Sequence, residues 1–171
     1  MKNKDGIAQF LVDNIDLLPK GRALDVAMGN GRNAVYMAKM GYEVEGVDIS
    51  KERVDNALEL AQKMGFSIKT QVADLEADYH IEKNAYDVII CINYLHRPLI
   101  QQIKDGLKQG GVVVYETYLV DQARWGKPKN AEHLLKHNEL LSLFHDFRCL
   151  RYREGIIGDS SAIASIIAEK V

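Results

Sequence analysis

Asp25, Gly29, Gly31 and Asp48 form a set of residues whose types and spacing point to one shared piece of chemistry. The two glycines allow a sharp turn and let a ligand approach the main chain closely. Directly after them, residues 32–40 carry helical spacing and stop at Gly41, a residue suited to the left-handed end of a helix. The first N–H groups of such a helix have no partner within it and face whatever lies on the turn. Asp25 belongs to an apolar segment ahead of the glycines. Asp48 stands at the end of the apolar segment that follows the helix, where an acid can accept hydrogen bonds from both hydroxyls of a ribose. The arrangement predicts a nucleoside cofactor bound outside the carboxyl ends of parallel strands.

The surrounding elements must hold these residues in place. Residues 22–26 are short and apolar, as a buried parallel strand should be, and residues 42–47 read as a second strand. Ser50 is suited to cap a helix in which Val54, Leu58, Ala61 and Met64 recur at helical spacing before Gly65. Residues 66–72 read as a third strand leading into Ala73-Asp74-Leu75. The most apolar strand, residues 88–92, is expected at the centre of the sheet and ends at Asn93-Tyr94-Leu95-His96-Arg97-Pro98. Pro98 suits the first turn of the next helix, whose stripe is Ile100, Ile103 and Leu107 and whose end is expected at Gly110-Gly111. Residues 112–115 then form a fifth strand emerging at Glu116-Thr117-Tyr118.

At the amino end, Ile7, Phe10, Leu11, Ile15 and Leu18 put one apolar face on a helix over residues 5–18, either packed on the sheet or lying over the cofactor. Residues 124–130 carry Gly126, Pro128 and the only tryptophan, Trp125, and read as a loop. A helix is expected over residues 134–144. Residues 147–153 and 161–169 read as two strands joined by a Gly158-Asp159-Ser160 turn, an antiparallel hairpin.

A chain of 171 residues suits one domain, here residues 1–171, and 47% hydrophobic with 27% charged residues supports an ordinary packed core. The net charge is −2, with no basic run to draw the chain to nucleic acid or an anionic membrane. Cys91 and Cys149 have no close-spaced partner, which excludes a zinc motif or a disulfide framework. His133 and His137 share a helical spacing but lack a third ligand, so no metal site is expected. The first residues lack a sustained apolar region, and no run approaches a membrane span. A cytoplasmic location is the expectation.

Asp25-Val26-Ala27-Met28-Gly29-Asn30-Gly31 resembles the D-x-G-x-G-x-G signature of class I S-adenosylmethionine-dependent methyltransferases, departing from it at Ala27, where the family usually has glycine. The resemblance covers nearly the whole chain. Lys108-Gln109-Gly110-Gly111 is similar to the family's turn into its fifth strand, with Gln109 in place of proline. It implies an α/β fold, a doubly wound, mostly parallel seven-stranded sheet with helices on both faces and a C-terminal antiparallel hairpin. It also implies S-adenosyl-L-methionine as cofactor. Asp25 would lie near the ammonium of the methionine part, Asp48 at the ribose and Asp74 at the adenine amino group. Ala27, Gly29, Gly31, Ile49, Leu75 and Asn93 would complete the cofactor site. Within the class, the segments at residues 93–99, 115–117 and 126–130 look like the small bacterial branch similar to tellurite-resistance methyltransferases.

A small-molecule acceptor is the implied partner. His96 is the candidate general base and Arg97 the candidate anchor for an anionic acceptor through its planar fork. Tyr94 and Tyr115 line the pocket or fill the core, and Arg124 with Trp125 close over the acceptor or pack on the surface. Gly29-Asn30-Gly31-Arg32-Asn33-Ala34 also fits G-x-G-x-x-A, so a nicotinamide-nucleotide protein remains an alternative, as does a non-catalytic S-adenosylmethionine-binding module.

Overall fold

The computed structural model describes residues 2–158 and 161–171. Seven strands form one sheet in the order β3-β2-β1-β4-β5-β7-β6. β1 (Arg22–Val26), β2 (Glu43–Asp48), β3 (Lys69–Val72), β4 (Tyr86–Ile92) and β5 (Leu107–Tyr118) run parallel. β7 (Ser161–Glu169) pairs antiparallel with both β5 and β6 (Arg148–Ile157). The expected hairpin is therefore present, although Asp159 and Ser160 of its turn lie outside the described residues.

Helices cover both faces, as the resemblance implied. α1 (Gln9–Asp13), α2 (Arg32–Lys39) and α3 (Lys51–Met64) bury Phe10, Leu11, Ala34, Met37, Val54 and Ala57 against Val88, Ile90 and Ile92 of β4. On the other face, α4 (Leu99–Gly106) and α5 (Glu139–Leu143) pack with Ile89 and Cys91. β4 is the fourth of seven strands and shows hydrophobic residues to both faces, which is why its sequence is apolar without alternation. Each such fully buried aliphatic side chain contributes roughly 1.5–3 kcal/mol. Strand order reverses between β1 and β4, whose neighbours lie on opposite sides, and a crevice opens past their carboxyl ends.

Several expected boundaries are corrected. The helix expected over residues 5–18 is only α1 followed by a 3₁₀ turn at Ile15–Leu17. Asn14 breaks it: its side-chain amide donates to the Phe10 carbonyl at 2.8 Å in place of a backbone donor. The third strand is shorter than residues 66–72. α4 ends at Gly106, not at Gly110-Gly111, because a Cβ on Gly106 would meet Ile81 at 2.5 Å and only glycine lets the helix end sit there. Gly110 and Gly111 instead belong to an irregular stretch of β5, where the pairing with β4 jumps from Tyr86–Leu107 to Val88–Val112. The helix over residues 134–144 shrinks to α5. Leu134 and Leu135 are buried as extended chain, with Leu135 bridged to Leu119, and Asn138 at φ 62° starts the helix late. Their apolar character reflected burial; its periodicity was misleading. The loop at residues 124–130 is preceded by a 3₁₀ turn, Val120–Arg124. No helix among the described residues is long and apolar enough to cross a membrane.

Candidate active site

The crevice at the carboxyl ends of β1, β2, β4 and β5 divides into adjoining cavities. The first, about 300 Å³, is lined by Asp25, Ala27, Met28, Gly29, Asn30, Asn33, Ile92 and Asn93, with Lys2 and Gly6 of the amino-terminal segment over it. The second, about 360 Å³, is lined by Ala27, Asp48, Ile49, Asp74, Leu75, Glu76, Asn93 and Tyr94. Both also touch Arg53. Of the nine residues expected to hold a cofactor, eight line these two cavities; the exception is Gly31.

Gly29 and Gly31 do different work. A Cβ on Gly29 would meet nothing within 4 Å, so the space beside it is free for a ligand. A Cβ on Gly31 would lie 2.4 Å from the Ala57 Cβ and 3.0 Å from its Cα. Gly31 therefore lets α2 pack against α3, and the close approach is between helices. Both glycines have positive φ, 56° and 77°, and so does Ala27, at 57°. The glycine of the resembling signature would adopt that conformation freely, whereas alanine there costs roughly 1–2 kcal/mol.

The two acids also differ. Asp48 is almost fully buried, and both of its oxygens are engaged: Oδ2 accepts from the Gly29 N–H and Oδ1 from the Ser50 N–H, each at 2.9 Å. It ties the glycine turn to the tip of β2 and lines the second cavity. Asp25 is buried, and its Oδ2 has no hydrogen-bond partner among the described residues. Burial, with the charge of Asp48 nearby, pushes its carboxyl well above the usual carboxylate range. A buried acceptor without a partner is expensive to keep. Ile49 projects 65% exposed at the second cavity, an apolar platform at its rim. Asp74 organises its own turn by accepting from the Glu76 N–H at 2.9 Å. Asn93, at φ 60°, has its backbone N–H on the Glu116 carbonyl at 2.7 Å and borders every one of these spaces.

A third cavity, about 580 Å³, lies beyond Asn93 and Tyr94, lined by Leu95, Thr117, Tyr118, Lys127, Pro128, Lys129, Asn130 and His133. Of the loop expected to face the acceptor, residues 127–130 line this cavity. Arg124 and Trp125 do not line it and lie exposed on the surface. Tyr115 fills the core, its hydroxyl donating to the Tyr94 carbonyl at 2.8 Å.

His96 and Arg97 do not have the surroundings expected of them. His96 Nδ1 sits 3.8 Å from Glu76 Oε1 and lines none of the three cavities. The fork of Arg97 is filled by the chain itself. Nε and Nη2 donate to the two carboxylate oxygens of Glu139 at 2.6 and 3.0 Å, and Nη1 and Nη2 donate to the Glu132 and Leu134 carbonyls at 2.9 Å each. Its task is to pin the segment that carries His133 across the mouth of the third cavity. Arg97→Lys is accordingly expected to cost about 1–2 kcal/mol, discounted because the Arg97 side chain is 36% exposed, or roughly 2–8 °C in melting temperature. Glu139→Gln should lower it comparably, and cofactor affinity should stay within about twofold. Calorimetric melting of the two variants and their double mutant checks this: additive losses would dissolve the proposed clamp.

Sequence reasoning missed Arg53 and Glu76. Arg53 follows the capping Ser50 by one turn position and makes no ion pair among the described residues, which leaves its cation over the cavities. Its place after the N-cap was the available signal. Glu76 accepts from the Tyr94 hydroxyl at 3.2 Å, a link between two loops that no local pattern announces.

This sheet order, with nucleoside-sized cavities past the glycine turn, defines a Rossmann-like methyltransferase fold. The chain belongs to the methyltransferase domain family, whose sequence model matches residues 23–111. It is 36% identical over 105 residues to the ubiquinone biosynthesis O-methyltransferase of Vibrio cholerae, covering 56% of this chain and 41% of that protein. It is 25% identical over 162 residues to the probable S-adenosyl-L-methionine-dependent methyltransferase TehB of Haemophilus influenzae, covering 90% of this chain and 55% of that protein. The chain thus spans about half the length of these curated relatives. The crystal structure of TehB from Haemophilus influenzae superposes with a TM-score of 0.82 at 22% identity, covering 99% of this chain and 64% of that one. Geranyl diphosphate C-methyltransferase from Streptomyces coelicolor, solved with geranyl diphosphate and S-adenosyl-L-homocysteine, gives 0.73 at 18% identity, covering 95% and 79%.

Proposed function

We propose that this protein transfers a methyl group from S-adenosyl-L-methionine to a small-molecule acceptor. The observation that carries the cofactor reading is Asp25, a residue of the first cavity's lining beside the open face of Gly29, whose buried Oδ2 has no partner among the described residues. An ammonium is the partner such an oxygen lacks. Asp25 would hold the amino group of the methionine part, Asp48 the ribose hydroxyls through its free lone pairs, and Ile49 with Leu75 and Asp74 the adenine. When bound, the cofactor supplies a methyl group on a positively charged sulfur, already activated toward a nucleophile. The chain's own contribution is then placement: the acceptor is held beyond Asn93 and Tyr94 and brought into line with the methyl group, an effect that supplies up to roughly 7–11 kcal/mol in favourable cases. The names of the relatives, one of ubiquinone biosynthesis and one acting on geranyl diphosphate, support an acceptor of small size. The net charge of −2 argues against nucleic acid.

Calorimetric titration with S-adenosylhomocysteine, S-adenosylmethionine and NAD tests the reading. The two sulfur nucleosides should bind and NAD should not. Asp48→Ala should weaken that binding, and also lower the melting temperature, because two backbone N–H groups lose their acceptor. Preference for NAD would replace the methyl-transfer reading with a nicotinamide one.

A further inference from the structure

We infer that the cavity beyond Asn93 selects a small organic acid, an apolar or aromatic body carrying a carboxylate. The inference rests on the methyl-transfer reading and names the class of acceptor. The lining of this cavity is mostly apolar, with Leu95, Pro128, Tyr94 and Tyr118 contributing to it. These surfaces gain little from a hydrated inorganic ion, whereas a flat hydrocarbon removes them from water at roughly 25 cal/mol per Å². The same lining also carries Lys127, Lys129 and His133; both lysines are exposed, and neither has an ion-pair partner among the described residues. No carboxylate lines the cavity among the described residues. Of the acids close by, Glu76 accepts from the Tyr94 hydroxyl, Asp121 is engaged by His137 and Arg124, and Glu132, next to His133, is exposed and outside the lining.

In a chain of net charge −2, two lysines beside an apolar pocket with no acid in its described lining form a local field that favours an anion. A neutral hydrocarbon would leave that field unused, and a bare anion would leave the apolar walls unused. An acid with its carboxylate at the lysines and its body on the tyrosines satisfies both. It also directs the far end of the molecule toward Asn93 and Tyr94, the border shared with the cofactor cavities.

The test uses three probes on the full chain saturated with S-adenosylhomocysteine, whose own binding is titrated first: 2-naphthoate, its neutral amide 2-naphthamide, and acetate. Naphthoate should bind about tenfold more tightly than naphthamide, with an affinity that falls as salt rises, and acetate should not bind measurably. The double variant Lys127→Gln/Lys129→Gln should remove the difference between naphthoate and naphthamide and its salt dependence, while S-adenosylhomocysteine affinity stays within about twofold. Both side chains are exposed, so the exchange leaves the core untouched. Equal binding of acid and amide, or a preference that survives in the double variant, overturns the inference while leaving the methyl-transfer reading in place. Failure of S-adenosylhomocysteine to bind the wild-type protein overturns both.

Discussion

Asp25→Asn is expected to weaken S-adenosylhomocysteine binding by about 10- to 100-fold while making the ligand-free protein more stable at alkaline pH. The affinity loss corresponds to one charge-assisted hydrogen bond in a desolvated site, about 1.5–3 kcal/mol. The stability gain follows from the pKa. Burial raises the Asp25 carboxyl above its unfolded value, so the folded state holds a proton that the unfolded state has released. Stability is then fully present below the unfolded pKa and declines as pH rises toward the folded pKa. The asparagine variant lacks this decline. Melting curves of wild type and variant should therefore lie closest in mild acid and separate as pH rises, with the variant melting higher.

Binding should reverse the preference in the wild type. An ammonium beside Oδ2 favours the ionised carboxylate, so ligand binding should release a proton below the raised pKa. Titrations in buffers of different ionisation enthalpy measure that release, and Asp25→Asn should abolish it. An unchanged affinity in a folded variant would remove the ammonium from Asp25 and with it the main support for the cofactor reading.

The glycine pair gives the second large effect. Gly31→Ala should destabilise the fold by roughly 2–4 kcal/mol, combining left-handed backbone strain with a side chain forced into Ala57. For a chain of this size that is roughly 4–16 °C in melting temperature. Gly29→Ala carries the backbone strain alone, roughly 1–2 kcal/mol, because its Cβ enters open space. Its main effect should fall on binding, by more than about tenfold, since that space is the one assigned to the cofactor. Ala57→Gly should partly rescue Gly31→Ala, with a coupling of about 1–3 kcal/mol in a double-mutant cycle, and should do nothing for Gly29→Ala. If Gly31→Ala melts like wild type, α2 and α3 are not packed as described. If Gly29→Ala binds S-adenosylhomocysteine normally, the cofactor lies elsewhere.

Much of the molecule was determined by local sequence. The apolar runs of β1 and β4, the serine cap and glycine stop of α3, and the alternation of strand with helix are set by short-range patterns of burial and backbone freedom. These were enough to define a mostly parallel sheet with a crevice at one end. That Asp25 and Asp48 line its cavities was legible as well, because each sits at a fixed offset from a glycine turn. Tertiary structure decided what those residues do there. Asp48 spends part of its carboxylate holding the Gly29 turn, a contact across 19 positions. Gly31 answers to Ala57 on the next helix, and Arg97 to Glu139, 42 positions away. Leu134 and Leu135 signalled burial but not conformation, since an extended segment and a helix can hide the same leucines. Spacing along a chain reports which residues share a face. Only the folded packing determines which neighbour reaches a side chain first, and therefore whether a glycine, an arginine or a carboxylate is left free for a ligand.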